Sequence, residues 1–179
     1  MKITIVGQGA WGSAMGKALE RNGHEVEFLH RKDRAWPSGG PGDFVLLALP
    51  CQNLRERLLD LSRPEVPVFS LIKGIEISSR KRVSQVVEEM WPGQVFGVIS
   101  GPSLASEVQA QSPTALVVAS DDEEWLRRVQ GAIHQPMLRT YRSRDVVGVE
   151  LGGALKKCLR LGGEGCVRVW VWGRMVWQV

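Results

Sequence analysis

Gly7, Gly9 and Gly12 stand in "IVGQGAWGSA" as G-x-G-x-x-G, and this spacing constrains the chain more than any other feature of it. The context decides its weight. Ile3, Ile5 and Val6 form a β-branched run up to Gly7, as expected of a strand buried on both faces. From Trp11 onward Ala14, Met15, Ala18 and Leu19 recur at helical spacing, and Gly23 is positioned to stop the helix. The glycines therefore link a strand to a helix. In that place Gly7 permits a tight turn, Gly9 lets backbone approach a pyrophosphate with no Cβ in the way, and Gly12 lets helix and strand pack closely. A diphosphate would rest on the helix N-terminus, where free N–H groups and the helix dipole favour negative charge. A glycine-rich turn without a ligand is the plainer alternative, and the strand-to-helix context argues against it.

The rest of the chain alternates in the same way. Apolar strand candidates lie at 25–29, 44–50, 67–72, 95–100, 114–119 and 137–141, and helical stretches at 54–61, 79–91, 104–109, 121–133 and from about 146. Asp121 or Asp122 is placed to cap the fifth helix. Between the second and third strands, "RKDRAWPSGGPGD" has no usable periodicity and reads as a surface loop. This alternation predicts an α/β fold of the Rossmann-like, doubly wound kind with a mostly parallel sheet.

Composition narrows the classes. A chain of 179 residues with 44% hydrophobic and 23% charged residues is ordinary for one globular domain, with or without an appendage. Its formal charge of +4 is spread among acids, so a local anion site is expected and a nucleic-acid surface is not. Cys51, Cys158 and Cys166 form no C-x-x-C pair and suggest neither disulfides nor zinc, and His24, His30 and His134 have no visible ligand or triad partners. No metal is expected. The first apolar run is too short to span a membrane and does not lead into a cleavage site, so a cytoplasmic protein with reduced thiols is the expectation.

The end of the second strand reads "LHRKDR", where an NAD-preferring site often carries an acid. Arg31 is placed to meet a 2′-phosphate, which favours NADP, while Asp33 leaves NAD open. Three further segments, "LIKGIE", "SGPSLASEV" and "GVELGGALKK", are hard to explain as packing alone. Together with "GQGAWGSA" they resemble, in composition, order and spacing, the bacterial NAD(P)-dependent glycerol-3-phosphate dehydrogenases. The resemblance runs from residue 1 to about Gly163, with a connector after the second strand shorter than in typical members.

That resemblance implies that Gly7, Gly9, Ala10, Trp11, Gly12, Arg31, Lys73 and Ala105 line an NAD(P) site, and that Lys73, Gly101 and Ser103 face a phosphorylated substrate. It implies that Lys156 accepts the proton when sn-glycerol 3-phosphate is oxidised to dihydroxyacetone phosphate, the reaction that feeds bacterial phospholipid synthesis. Taken singly, Lys73 reads as a strand-end lysine in water and Lys156 as a helix-surface lysine. Beside the glycine turn and "SGPS" they read as a site, because a lysine whose ammonium is destabilised by burial or a nearby cation can accept a proton. Glu107 and Glu150 read as helix-surface or supporting groups.

The expected organisation is a nucleotide-binding domain at 1–145, the start of a helical substrate domain at 146–163, and a tail at 164–179 unlike the family. Three of the seven tryptophans, Trp170, Trp172 and Trp177, fall in that tail. Codons can be chosen for it whose shifted frame reads Gly-Val-Cys-Glu-Gly-Leu-Gly-Leu-Gly-Glu-Asn-Gly-Met-Ala-Ser, which resembles the family's continuation. A frameshift near Gly163 is therefore the expectation, leaving the helical domain largely absent and activity weak. Exposed Trp and Val there favour a homo-oligomer, or pack back onto the domain. The alternatives in function are a non-catalytic dinucleotide-binding module and another reductase of the β-hydroxyacid type.

Overall fold

The computed structural model describes the backbone of residues 1–159, and side chains as far as Leu155. Among the described residues a seven-stranded sheet runs in the order β2-β1-β3-β4-β5-β6-β7. Its strands are β1 (Lys2–Val6), β2 (Glu25–Leu29), β3 (Phe44–Leu47), β4 (Val68–Ser70), β5 (Phe96–Ser100), β6 (Thr114–Ser120) and β7 (Leu138–Ser143). All neighbours pair in parallel except β5 and β6. Six α-helices cover the sheet: α1 (Ala10–Arg21), α2 (Leu54–Asp60), α3 (Val83–Met90), α4 (Ala105–Gln109), α5 (Glu123–Ile133) and α6 (Val146–Leu159).

Period-two alternation in the central strands sends side chains into two cores. Phe44 and Leu46 of β3 join Ile3, Ile5 and the apolar stripes of α1 and α5 on one face. Val45 and Leu47 join Leu54 and Leu58 of α2 and Val83, Val86 and Val87 of α3 on the other. Val149 of α6 packs on Val98, Val117 and Ala119. Both faces of β3 are fully buried, which is why it reads as an unbroken apolar run.

The predicted helix at 79–91 begins only at Val83. Ser79 donates its hydroxyl to the Glu76 carboxylate, and Arg80 has φ +58°, so the chain turns here before the helix starts. Asp122 takes the capping role, accepting from the Trp125 N–H at 3.0 Å. The connector after β2 is a loop with no helix. Its trajectory is held by Trp36, whose indole donates to the Ser62 carbonyl and packs against Trp91, and by an Arg34–Asp60 ion pair.

The chain leaves β1 for β2 on one side and then crosses over β1 to β3 on the other. Between the C-terminal ends of β1 and β3 lies the switch point where such sheets open a crevice.

Candidate functional site

At the mouth of that crevice Gly7 has φ +105°, and a Cβ on it would lie 2.6 Å from the Ala48 carbonyl oxygen. Only glycine fits, on conformation and on space. A Cβ on Gly12 would lie 2.1 Å from the Gly7 carbonyl oxygen, so the first turn of α1 presses directly on the strand end. Gly9 differs, because nothing lies within 4 Å of its Cβ position. Its side is open, as the approach of a ligand requires. Gly9 is the N-cap of α1, with no side-chain cap and no acid in the first turn, so the helix N-terminus keeps its donors and positive end for an outside anion.

A cavity of about 510 Å³ continues from Gly7 and Gly9 past Ala48 and Pro50 to the end of β2. Arg31 and Arg34 line its far end, and Arg34 is paired with Asp60. Asp33 does not face it in the same way: its carboxylate accepts from the His30 N–H at 2.7 Å and closes its own turn. Arg57 also lines the cavity, a residue that the sequence reading passed over. Its guanidinium is buried and donates to the carbonyls of Asp33 (2.6 Å), His30 (3.0 Å) and Arg31 (3.4 Å). Burial pushes it below the usual arginine range, partly opposed by Asp33, yet an arginine stays protonated in water-accessible protein. A signal existed: Arg57 shares a helix face with Leu54, Leu58 and Leu61, where an arginine is out of place unless it is paired.

A second group of expected site residues meets beyond α1. Lys73, just past β4, places its ammonium 4.6 Å from the Trp11 ring centroid and donates to the Gly101 carbonyl at 3.2 Å. A Cβ on Gly153 would lie 2.6 Å from Ser100 Oγ and 3.7 Å from Lys73 Cγ, so α6 crosses here at glycine distance. The Ser100 hydroxyl is buried with no hydrogen-bond partner among the described residues. Ser103 is buried beside this loop, and Ala105 opens α4 and packs on the α1 core. Ala10 is exposed at the start of α1. Trp11, Lys73 and Gly101 are thus brought into one cluster, and Gly7, Gly9 and Arg31 into the cavity. Position 156 falls one turn beyond Gly153 in α6; the Lys156 side chain and the tail 164–179 lie outside the described residues.

Buried carboxylates hold these parts in place. Glu76 receives Arg55 through Nε at 3.1 Å and Nη2 at 2.9 Å, as well as the Ser79 hydroxyl, and these bonds hold its carboxyl below the usual range. Glu150 ties α6 to the start of α3, accepting from Arg82 at 2.6 Å and from the Ser84 N–H and hydroxyl at 2.7 Å. Burial, then Glu76 and Glu150, push the Cys51 thiol up, so it is a poor nucleophile. The described residues contain no cluster of acids, histidines or cysteines able to hold a metal, and no helix long and apolar enough to cross a membrane.

Comparison with known proteins places this geometry. The family model described as NAD-dependent glycerol-3-phosphate dehydrogenase N-terminus matches residues 2–37 and 41–126. A glycerol-3-phosphate dehydrogenase [NAD(P)+] of Streptomyces coelicolor is 35% identical over 195 aligned residues, covering 90% of this chain and 58% of that protein. One from Sphingopyxis alaskensis is 31% identical, covering 92% and 60%. The crystal structure of glycerol-3-phosphate dehydrogenase from Coxiella burnetii superposes with a TM-score of 0.74 at 25% identity, over 85% of this chain and 56% of that one. The Saccharomyces cerevisiae enzyme, at 19% identity and TM-score 0.75, shares the fold. The chain spans about three fifths of the length of the relatives it matches.

Proposed function

Because this chain belongs to the NAD-dependent glycerol-3-phosphate dehydrogenase family, we propose that it binds a nicotinamide dinucleotide with NADP preferred, and serves the interconversion of sn-glycerol 3-phosphate and dihydroxyacetone phosphate. The observation that carries the reading is the open side of Gly9 between two glycines that have no room for a side chain, at the switch point of a mostly parallel sheet. Gly7, Gly9, Ala10, Trp11 and Gly12 hold the diphosphate end, and Arg31 meets the 2′-phosphate. Lys73 and Ala105 border the nicotinamide end. When bound, the nicotinamide accepts or supplies the hydride.

The chain's own residues do the rest. Lys73, held by the Trp11 face and the Gly101 carbonyl, supplies fixed positive charge beside the substrate's reacting oxygen. Gly101 and Ser103 border the same substrate. Lys156 takes the proton from the secondary hydroxyl as the alcohol is oxidised, and returns it to the alkoxide in reduction. Residues 1–145 form the coenzyme domain, and 146–163 begin the substrate domain. The reaction belongs to the cytoplasm.

The test is fluorescence titration of the purified chain with NADPH and NADH, followed by turnover with dihydroxyacetone phosphate. Saturable NADPH binding is expected, with turnover that Lys156→Ala abolishes while leaving binding intact. Failure to bind either coenzyme overturns the reading. Undiminished turnover in Lys156→Ala removes that residue from the chemistry.

A further inference from the structure

The turn after β2 has to do two things at once: close on itself, and present a surface to whatever occupies the far end of the cavity. Its carbonyl oxygens work against an anion there. Those of His30, Arg31 and Asp33 converge on one buried guanidinium, that of Arg57. Among the described residues Arg57 forms no ion pair: three carbonyl dipoles meet its charge directly, the Asp33 carboxylate acts on it only through space, and it leaves positive potential at the cavity wall. The only carboxylate within the turn, Asp33, is occupied with the His30 N–H. Two other acids line this end: Asp60, which is paired with Arg34, and Glu56, which is exposed to solvent.

We propose that Arg57 is a positioning residue that sets coenzyme choice: by drawing in the three carbonyls of the 30–33 turn it fixes the turn that carries Arg31, and turns this end of the cavity into a site for a phosphate dianion rather than a ribose diol. The inference rests on the coenzyme reading above and extends it. A neutral diol needs an acceptor, which Asp33 would supply only by releasing the His30 N–H. A dianion needs donors and positive potential, and Arg57 supplies the potential through a low-dielectric wall while Arg31 supplies the exposed donor. Asp33 and Arg57 are thus two halves of one arrangement. The first withdraws the acid that a diol would use, and the second cancels the carbonyls that a phosphate would meet.

Three measurements test this on the full chain. In the wild type, adenosine 2′,5′-bisphosphate should compete for the site at least about tenfold more tightly than 5′-AMP, the order expected for one charge-assisted contact. Arg57→Met should lower NADPH affinity by about tenfold or more while changing NADH affinity less than about threefold. Arg57→Lys, which keeps the charge without the planar fork, should fall between. Asp33→Asn, which can still accept from the His30 N–H, should leave NADH affinity unchanged. Equal competition by the two adenosine nucleotides overturns the proposal, and needs no variant to fold. So does an equal loss of both coenzymes in folded Arg57→Met or Arg57→Lys, the mark of a merely structural role, or a loss of NADH binding in Asp33→Asn. If neither coenzyme nor either nucleotide binds, it is the coenzyme reading itself that fails.

Discussion

Gly12 and Gly9 belong to one turn, yet an added methyl group should damage them differently. At Gly12 the new Cβ meets backbone, the Gly7 carbonyl oxygen, which cannot rotate away. Gly12→Ala should therefore cost about 3 kcal/mol of stability, seen as a Tm lowered by about 2–4 °C per kcal/mol. At Gly9 the methyl meets nothing, and φ is −72°. Gly9→Ala should change stability by no more than about 1 kcal/mol, the scale of an N-cap exchange, while sharply weakening NADPH binding. Calorimetry and coenzyme titration on the same two proteins separate the effects. A Gly9→Ala protein that binds NADPH like the wild type would show that the open side is not where the diphosphate lies. The spacing of these glycines was legible in the sequence, and so was their order of duties. The crowding at Gly7 was not, because it comes from Ala48, which arrives just past β3.

The segment from β4 to α3 is the element that departed most from its sequence pattern, and the reason is a single carboxylate. Glu76 has a side chain only 5% exposed and gathers Arg55 from α2 and Ser79 from its own turn. The chain pays for these bonds with a left-handed residue at Arg80 and a delayed helix start. Lys73 and Gly74 lie immediately before, so the loop that carries Lys73 is tied down at this point. The Glu76 carboxyl is held below its unfolded pKa of 4.5. Its contribution is therefore complete above that value and is lost as pH falls through the lower folded value. Glu76→Gln should destabilise the protein by about 1–3 kcal/mol at pH 7 and by progressively less as pH drops below 4.5. Denaturant melts at pH 7 and pH 3 check this; a cost that is the same at both would deny the ion pair any role.

At the scale of the whole molecule, the sheet buries both faces within the described residues, with α1, α4 and α5 closing one core and α2, α3 and α6 the other. Asp145 caps α6 by accepting from the Gly148 N–H at 2.7 Å, and Glu150 fastens the helix to α3. A domain closed in this way should stand without the residues C-terminal to α6. Removal of residues 160–179 should shift Tm by less than about 4 °C and NADPH affinity by less than about twofold, the effect of a change under 1 kcal/mol. Collapse of the shortened chain in a thermal melt would mean that the core is completed by the removed residues.

Legible in the sequence was what is local: where strands and helices alternate, and which glycines link the first of them. Those features are written in apolar period and in residue type, and both survive without knowledge of the partner element. Tertiary structure alone decided the rest. Arg57 became part of the cavity wall because α2 lies under the turn after β2, and Asp33 is held away from the cavity by the same turn. Gly153 became the point where α6 meets Ser100 and Lys73. In each case the deciding contact joins residues far apart in the chain. A hydrogen bond or a van der Waals clash acts over a few ångströms, and only the folded sheet brings such residues within that range.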